Sequence, residues 1–96
     1  MKFTKDSSVS GTSLQGYVTA RYDQLVAVFG EPDYTNGDKV TAEWCLDFED
    51  GTVATIYDWK EYETPMGQYR WHIGGKSQAA VSAVIDTFNE GAFTHA

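Results

Sequence analysis

Cysteine is nearly absent from this chain. Cys45 is the only one in 96 residues, so no internal disulfide can form and no cysteine-based zinc site can be built. That scarcity predicts a reducing, cytoplasmic setting. Long apolar runs are missing too: the basic residues near Met1 have no apolar segment behind them, and nothing approaches the length of a membrane span. Histidine is limited to His72 and His95. No serine, cysteine or second histidine stands at a motif spacing from His72, so no catalytic residue is assigned and an enzyme is not expected. Positive charge is the last shortage. Seven Lys and Arg against fourteen Asp and Glu leave a net charge of −7, which argues against direct binding to nucleic-acid phosphates or anionic membranes. The same balance suits a protein that binds a basic surface on something else.

Carboxylates and aromatics are what the chain has. Three Trp, six Tyr and five Phe supply wide, flat side chains for a core that needs no metal or cofactor. Glu43 to Glu49 alternates polar and apolar residues, Asp50-Gly51 is a strong turn signal, and Thr52 to Tyr57 is rich in strand formers, so the segment reads as a β-hairpin. With Asp50 and Gly51 as a two-residue turn, Phe48 faces Val53, Leu46 faces Thr55 and Trp44 faces Tyr57 on one apolar side. The other side then carries Glu43 opposite Asp58 and Asp47 opposite Ala54. With Glu49 and Asp50 at the tip, this makes a self-repelling acidic face. Either a basic strand lies alongside, or the face is a solubility surface, or it recognises something positively charged.

Elsewhere, residues 1–13 are polar and read as a flexible N-terminal arm, and 14–96 as a single domain. Leu14 to Thr19 reads as a short strand. Tyr22, Leu25, Val26 and Phe29 follow helical spacing, with Thr19 as the cap and Gly30 and Pro32 as the stop. Asp33 to Lys39 and Lys60 to Gly67 read as loops, and Gln68 to Ile73 as a strand with Arg70 and His72 on the face opposite Tyr69, Trp71 and Ile73. Ser77 to Glu90 reads as a second helix with Ser77 as its cap and Gly91 just past its end. The expected architecture is α+β, a two-layer domain whose antiparallel sheet of three to four strands carries two helices on one face.

Two candidate sites follow. Glu43, Asp47, Glu49, Asp50 and Asp58 form a partner-binding face, with Tyr34, Trp59 and Tyr62 as aromatic anchors at its rim. The alternative is a nucleotide-like anion bound at Gly74, Gly75, Lys76 and Ser77, where two glycines and a hydroxyl open a helix, with Arg70 as helper. A true P-loop is excluded, because Arg70 stands where that motif needs glycine. No metal-binding motif is present.

Tyr22 to Val26, Phe29-Gly30-Glu31-Pro32, Lys39 to Trp44, Phe48 to Trp59 and Trp71-His72-Ile73-Gly74-Gly75 together resemble a family of small bacteriophage-encoded proteins. The resemblance spans about residues 14 to 90 and implies an origin rather than an activity. Small acidic phage proteins are often inhibitors of host machinery, including anti-CRISPR and anti-restriction proteins that imitate DNA charge. By that analogy the expected role is inhibition of a host defence or nucleic-acid-handling complex in the infected cell's cytoplasm. A virion or assembly component that works through self-association is a further reading.

Overall fold

A computed structural model describes residues 1–6, 11–35 and 39–94, with side chains through 91. Its strands are β1 (Phe3–Lys5), β2 (Ser13–Ala20), β3 (Tyr34–Thr35), β4 (Ala42–Phe48), β5 (Val53–Tyr57) and β6 (Tyr69–Gly75). The helices are α1 (Tyr22–Phe29) and α2 (Ala79–Thr94). The strands form one six-stranded antiparallel sheet in the order β1-β4-β5-β6-β2, with β3 paired to β4.

The class is α+β with two helices, as expected, but the sheet is larger than three or four strands. The additional strands are the short ones. Phe3–Lys5 pairs with Leu46 to Phe48 instead of forming a free arm. The Phe3 ring explains why, lying 5.4 Å from Phe29 and 6.0 Å from Phe48. The rest of the expected arm includes residues 7–10, which lie outside the described residues, as do 36–38 of the expected loop before the hairpin.

The helices cover one sheet face. Trp44, Leu46 and Phe48 of β4 point there with Ala54, Ile56, Trp71, Ile73, Val18 and Ala20, and Leu25, Phe29, Ala80, Ala83 and Val84 meet them from the helices. Trp44 and Trp71 meet edge to face at 5.4 Å. Each donates its indole N–H to a backbone carbonyl, Trp44 to Gly30 at 2.7 Å and Trp71 to Ala20 at 3.0 Å. Burying an indole without such an acceptor would cost about 1–3 kcal/mol.

The hairpin turn has three residues rather than two. Phe48 N–H donates to Thr52 O and Gly51 N–H to Phe48 O, both at 2.9 Å, while Gly51 adopts φ 90°. A turn followed by a left-handed glycine is the usual three-residue hairpin loop. The pairing therefore slips by one: Trp44 faces Ile56, Leu46 faces Ala54 and Glu43 faces Tyr57. A one-residue slip exchanges faces. Ala54 and Ile56 enter the core, and Val53, Thr55 and Tyr57 move to the face without helices.

α1 begins and ends where its spacing predicts, but its cap is Arg21, whose N–H donates to Gln24 Oε1 at 2.8 Å. Thr19 belongs to β2. Gly91 lies inside α2 and is not a stop, because a side chain there would collide with Val28 of α1. Its small size permits helix contact.

Candidate functional site

One register line crosses the helix-free face. Tyr17 of β2 is opposite His72 of β6, His72 opposite Tyr57 of β5, Tyr57 opposite Glu43 of β4, and Glu43 opposite Tyr34 of β3. Period-two alternation puts all these side chains on the same side. His72 is stacked on Tyr57, centroids 5.3 Å apart, and meets the edge of Tyr17 at 5.1 Å. Trp59, just beyond β5, meets Tyr57 edge to face at 6.4 Å. Cations lie against two of these rings: Arg70 is 3.8 Å from the Tyr17 ring centroid, and the Lys39 and Lys60 ammonium groups are each 5.9 Å from that of Trp59. Among the described residues, none of these three cations is ion-paired.

Leu14, Tyr57, Trp59 and His72 line a groove of about 210 Å³ along this row. Gly74 adjoins it and keeps the face open, since a side chain there would meet Thr55, Tyr57 and Thr12. Burial, and then the Arg70 charge, hold His72 below the ordinary imidazole range. That shift favours the neutral, less polar form of the ring packed between Tyr57 and Tyr17.

The loop bearing Trp59 is tied down. Trp59 N–H donates to the Tyr69 hydroxyl at 3.2 Å, and that hydroxyl donates to Glu61 Oε2 at 3.2 Å. Lys60 N–H donates to Lys39 O at 2.7 Å, and Lys60 itself adopts φ 56°. A non-glycine residue in that region is costly and persists only where its surroundings hold it.

The five expected carboxylates separate. Asp58 is fully buried and accepts the N–H groups of Thr41 and Ala42 and the Thr41 hydroxyl, so it cannot contact a partner. Its removal from the acidic face follows from the register slip and from the needs of the unpaired backbone at the start of β4. Glu43 and Asp47 do lie on the helix-free face, both partly buried, and Glu49 and Asp50 are exposed at the hairpin tip. Burial first, and then Asp33, raise the Glu43 carboxyl above its ordinary range. Cys45, between Glu43 and Asp47, is buried, and its thiol is pushed to about 11 by burial first and then by Glu43 and Asp33. Such a thiol is not a nucleophile at neutral pH. Of the three anchors, Tyr34 is 48% exposed, Trp59 41% and Tyr62 wholly exposed. Trp59 sits among lysines rather than carboxylates.

The alternative anion site is also rearranged. Gly74 and Gly75 are the last residues of β6, paired on both sides, with their amides in the sheet rather than at a helix start. Gly75 is required because a side chain would strike Ala80 of α2. Lys76 and Ser77 are exposed beside a cleft of about 300 Å³, but Asp50 lines the same cleft and would repel an anion. Ser77 Oγ accepts the Ala79 N–H at 3.2 Å, which is a helix-start role. Arg70 sits with the aromatic row instead.

Part of the aromatic row is legible in the sequence. The alternation of β6 puts Arg70 and His72 on the face where they lie, whereas a two-residue hairpin turn would put Tyr57 in the core, and Tyr17 and Leu14 carry no motif. Among the described residues, no group of His, Cys, Asp and Glu could hold a metal ion, and no helix is long and apolar enough to cross a membrane. Comparison with protein-family models, with curated proteins and with solved structures finds no match.

Proposed function

We propose that this chain is a phage-encoded acidic binding protein that inhibits a host nucleic-acid-handling or defence complex by docking on its basic surface. The contact is made by Glu43 and Asp47 on β4, Glu49 and Asp50 at the hairpin tip, and Tyr34 and Tyr62 as aromatic anchors. The observation that carries this reading is the strip along β4: Asp47 faces Thr4 on one side and Val53 on the other, so its cross-strand neighbours offer no cation to neutralise it. In an acidic chain such a strip attracts a basic partner, and steering makes association fast and salt-sensitive. Tyr34, opposite Glu43, and the wholly exposed Tyr62 are suited to act as anchors. Asp58 is no part of this surface, and Trp59, flanked by Lys39 and Lys60, belongs to the neighbouring row.

The test is affinity capture from bacterial lysate, at low and moderate salt, with wild type and with an Asp47→Lys, Asp50→Lys variant. A nucleic-acid-handling protein captured by wild type alone and released by salt supports the proposal. Equal capture by both forms overturns it.

A further inference from the structure

The aromatic row is not explained by an acidic docking strip. Lys39, Lys60 and Arg70 are three of the seven basic residues in a chain of net charge −7. Two others, Lys5 and Arg21, are ion-paired, Lys5 with Asp33 at 3.3 Å and Arg21 with Asp23 at 3.1 Å. The three at the row instead lie against aromatic rings with no carboxylate at ion-pair distance among the described residues. Cation–π contact is worth only about 0.5–1 kcal/mol at exposed sites. It leaves most of each positive charge available to an anion.

The groove beside them has walls of Leu14, Tyr57, Trp59 and His72 and a volume of about 210 Å³. That is room for one flat heterocycle with its sugar, and too little for a protein side-chain cluster or a folded segment. Flat aromatic walls with cations at the margin match the two halves of a nucleotide, since rings stack on the base and ammonium groups hold the phosphate. The structure around the groove is already set. Tyr69 holds the Trp59 backbone, the Lys60 N–H is bonded to Lys39 O, and buried Asp58 immediately precedes Trp59. Little ordering cost is left for a ligand to meet.

We propose that this groove binds a free nucleotide, with its base against Trp59 and Tyr57 and its phosphate held by Lys39 and Lys60. Charge selects a free nucleotide over a strand. Screening limits what a small ligand senses to a radius of about 8–10 Å, where Lys39 and Lys60 beside Trp59 stand with Glu43, opposite Tyr57, and Glu61, bonded to Tyr69. A polyanionic strand extends beyond them into the field of the whole acidic protein. The proposal uses none of Glu43, Asp47, Glu49 or Asp50 as a contact, although Glu43 of the docking strip stands opposite Tyr57.

The test is isothermal titration of the full chain with AMP, GMP, CMP and UMP, each to about 5 mM so that millimolar affinity is seen. Adenosine, inorganic phosphate and single-stranded oligonucleotides of increasing length are run alongside. The variants are Trp59→Ala, Lys39→Ala with Lys60→Ala, and Lys76→Ala, all at exposed positions and each checked for folding by circular dichroism. At least one mononucleotide binds wild type, and Trp59→Ala weakens it about tenfold or more. The double lysine variant weakens the nucleotide and leaves any nucleoside binding unchanged, and Lys76→Ala behaves as wild type. Absence of binding by all four mononucleotides, unchanged binding by Trp59→Ala, loss of binding on Lys76→Ala, or affinity that grows with oligonucleotide length would each overturn the assignment.

Discussion

Asp58 and Thr41 are joined twice: Oδ1 accepts the Thr41 N–H at 2.7 Å, and Oδ2 accepts the Thr41 hydroxyl at 2.5 Å. A third bond, from Ala42 N–H at 3.2 Å, completes the grip on the start of β4, and Thr64 Oγ1 reaches the same Thr41 hydroxyl at 2.7 Å. One side chain thus ties the end of β5 to the start of β4 and to the loop before β6. Asp58→Ala leaves two backbone donors unsatisfied in a buried place and is expected to destabilise the fold by about 3 kcal/mol. Asp58→Asn keeps one acceptor oxygen and is expected to lose less. Urea denaturation of the three forms at pH 7 checks the order.

Glu43 is raised by burial and by Asp33, so folding favours its neutral form. The stabilisation from that form is fully present below the ordinary carboxyl value of 4.5 and is lost as pH rises through the raised value. At pH 7 the ionised carboxylate therefore carries a cost, and Glu43→Gln is expected to be more stable than wild type there. The difference is expected to close as pH falls below 4.5. If Glu43 contacts a basic partner, the same substitution stabilises the fold while weakening capture.

Cys45 runs parallel at the alkaline end. Its thiol is lifted from 9.0 to about 11, so its contribution is complete below pH 9 and is lost as pH rises from 9 towards 11. Comparing wild type with Cys45→Ala across that interval isolates the thiol from the raised tyrosines 22, 57 and 69. The stability of wild type is expected to fall more steeply. At pH 8 a thiol reagent is expected to modify Cys45 only at the rate of unfolding.

Gly75 and Ala80 occupy space that allows one methyl group, not two. Gly75→Ala is expected to cost about 1–3 kcal/mol through overpacking. Adding Ala80→Gly is expected to recover part of that loss despite the lower helix propensity of glycine, giving a coupling energy in a double-mutant cycle. Additive effects would mean that the two residues do not share this space.

The long elements were legible because their patterns are strong. Tyr22, Leu25, Val26 and Phe29 repeat at helical spacing, and Trp44, Leu46 and Phe48 alternate, so α1 and the core side of β4 follow from residue type alone. β1 and β3 were not legible, since three and two residues are too short for a period to register. What places β1 is the fit of Phe3 between Phe29 and Phe48. The hairpin register turned on one residue: Asp-Gly suits both two- and three-residue loops, and burial of Ile56 and Ala54 decides between them. Because that choice sets the faces, it also removed Asp58 from the candidate site and brought Tyr57 into it. The Gly-Gly-Lys-Ser segment misled for a related reason, as glycine needed for close packing looks the same in sequence as glycine needed for an anion.

β2 forms one end of the sheet and carries no charged side chain from Ser13 to Ala20. Edge strands commonly deter sideways addition with lysine, proline or an inward charge. Among the described residues, the register irregularity at Leu14/Gly16, the bond from Gln78 to the Gln15 carbonyl and the Arg70 guanidinium over Tyr17 are local deterrents. A further barrier is colloidal: like-charged particles repel, and that repulsion fades as the pH nears the isoelectric point of about 4.5. Acidification therefore removes long-range protection while leaving the neutral strand unchanged, and turbidity on approach to that pH is expected to begin along this edge.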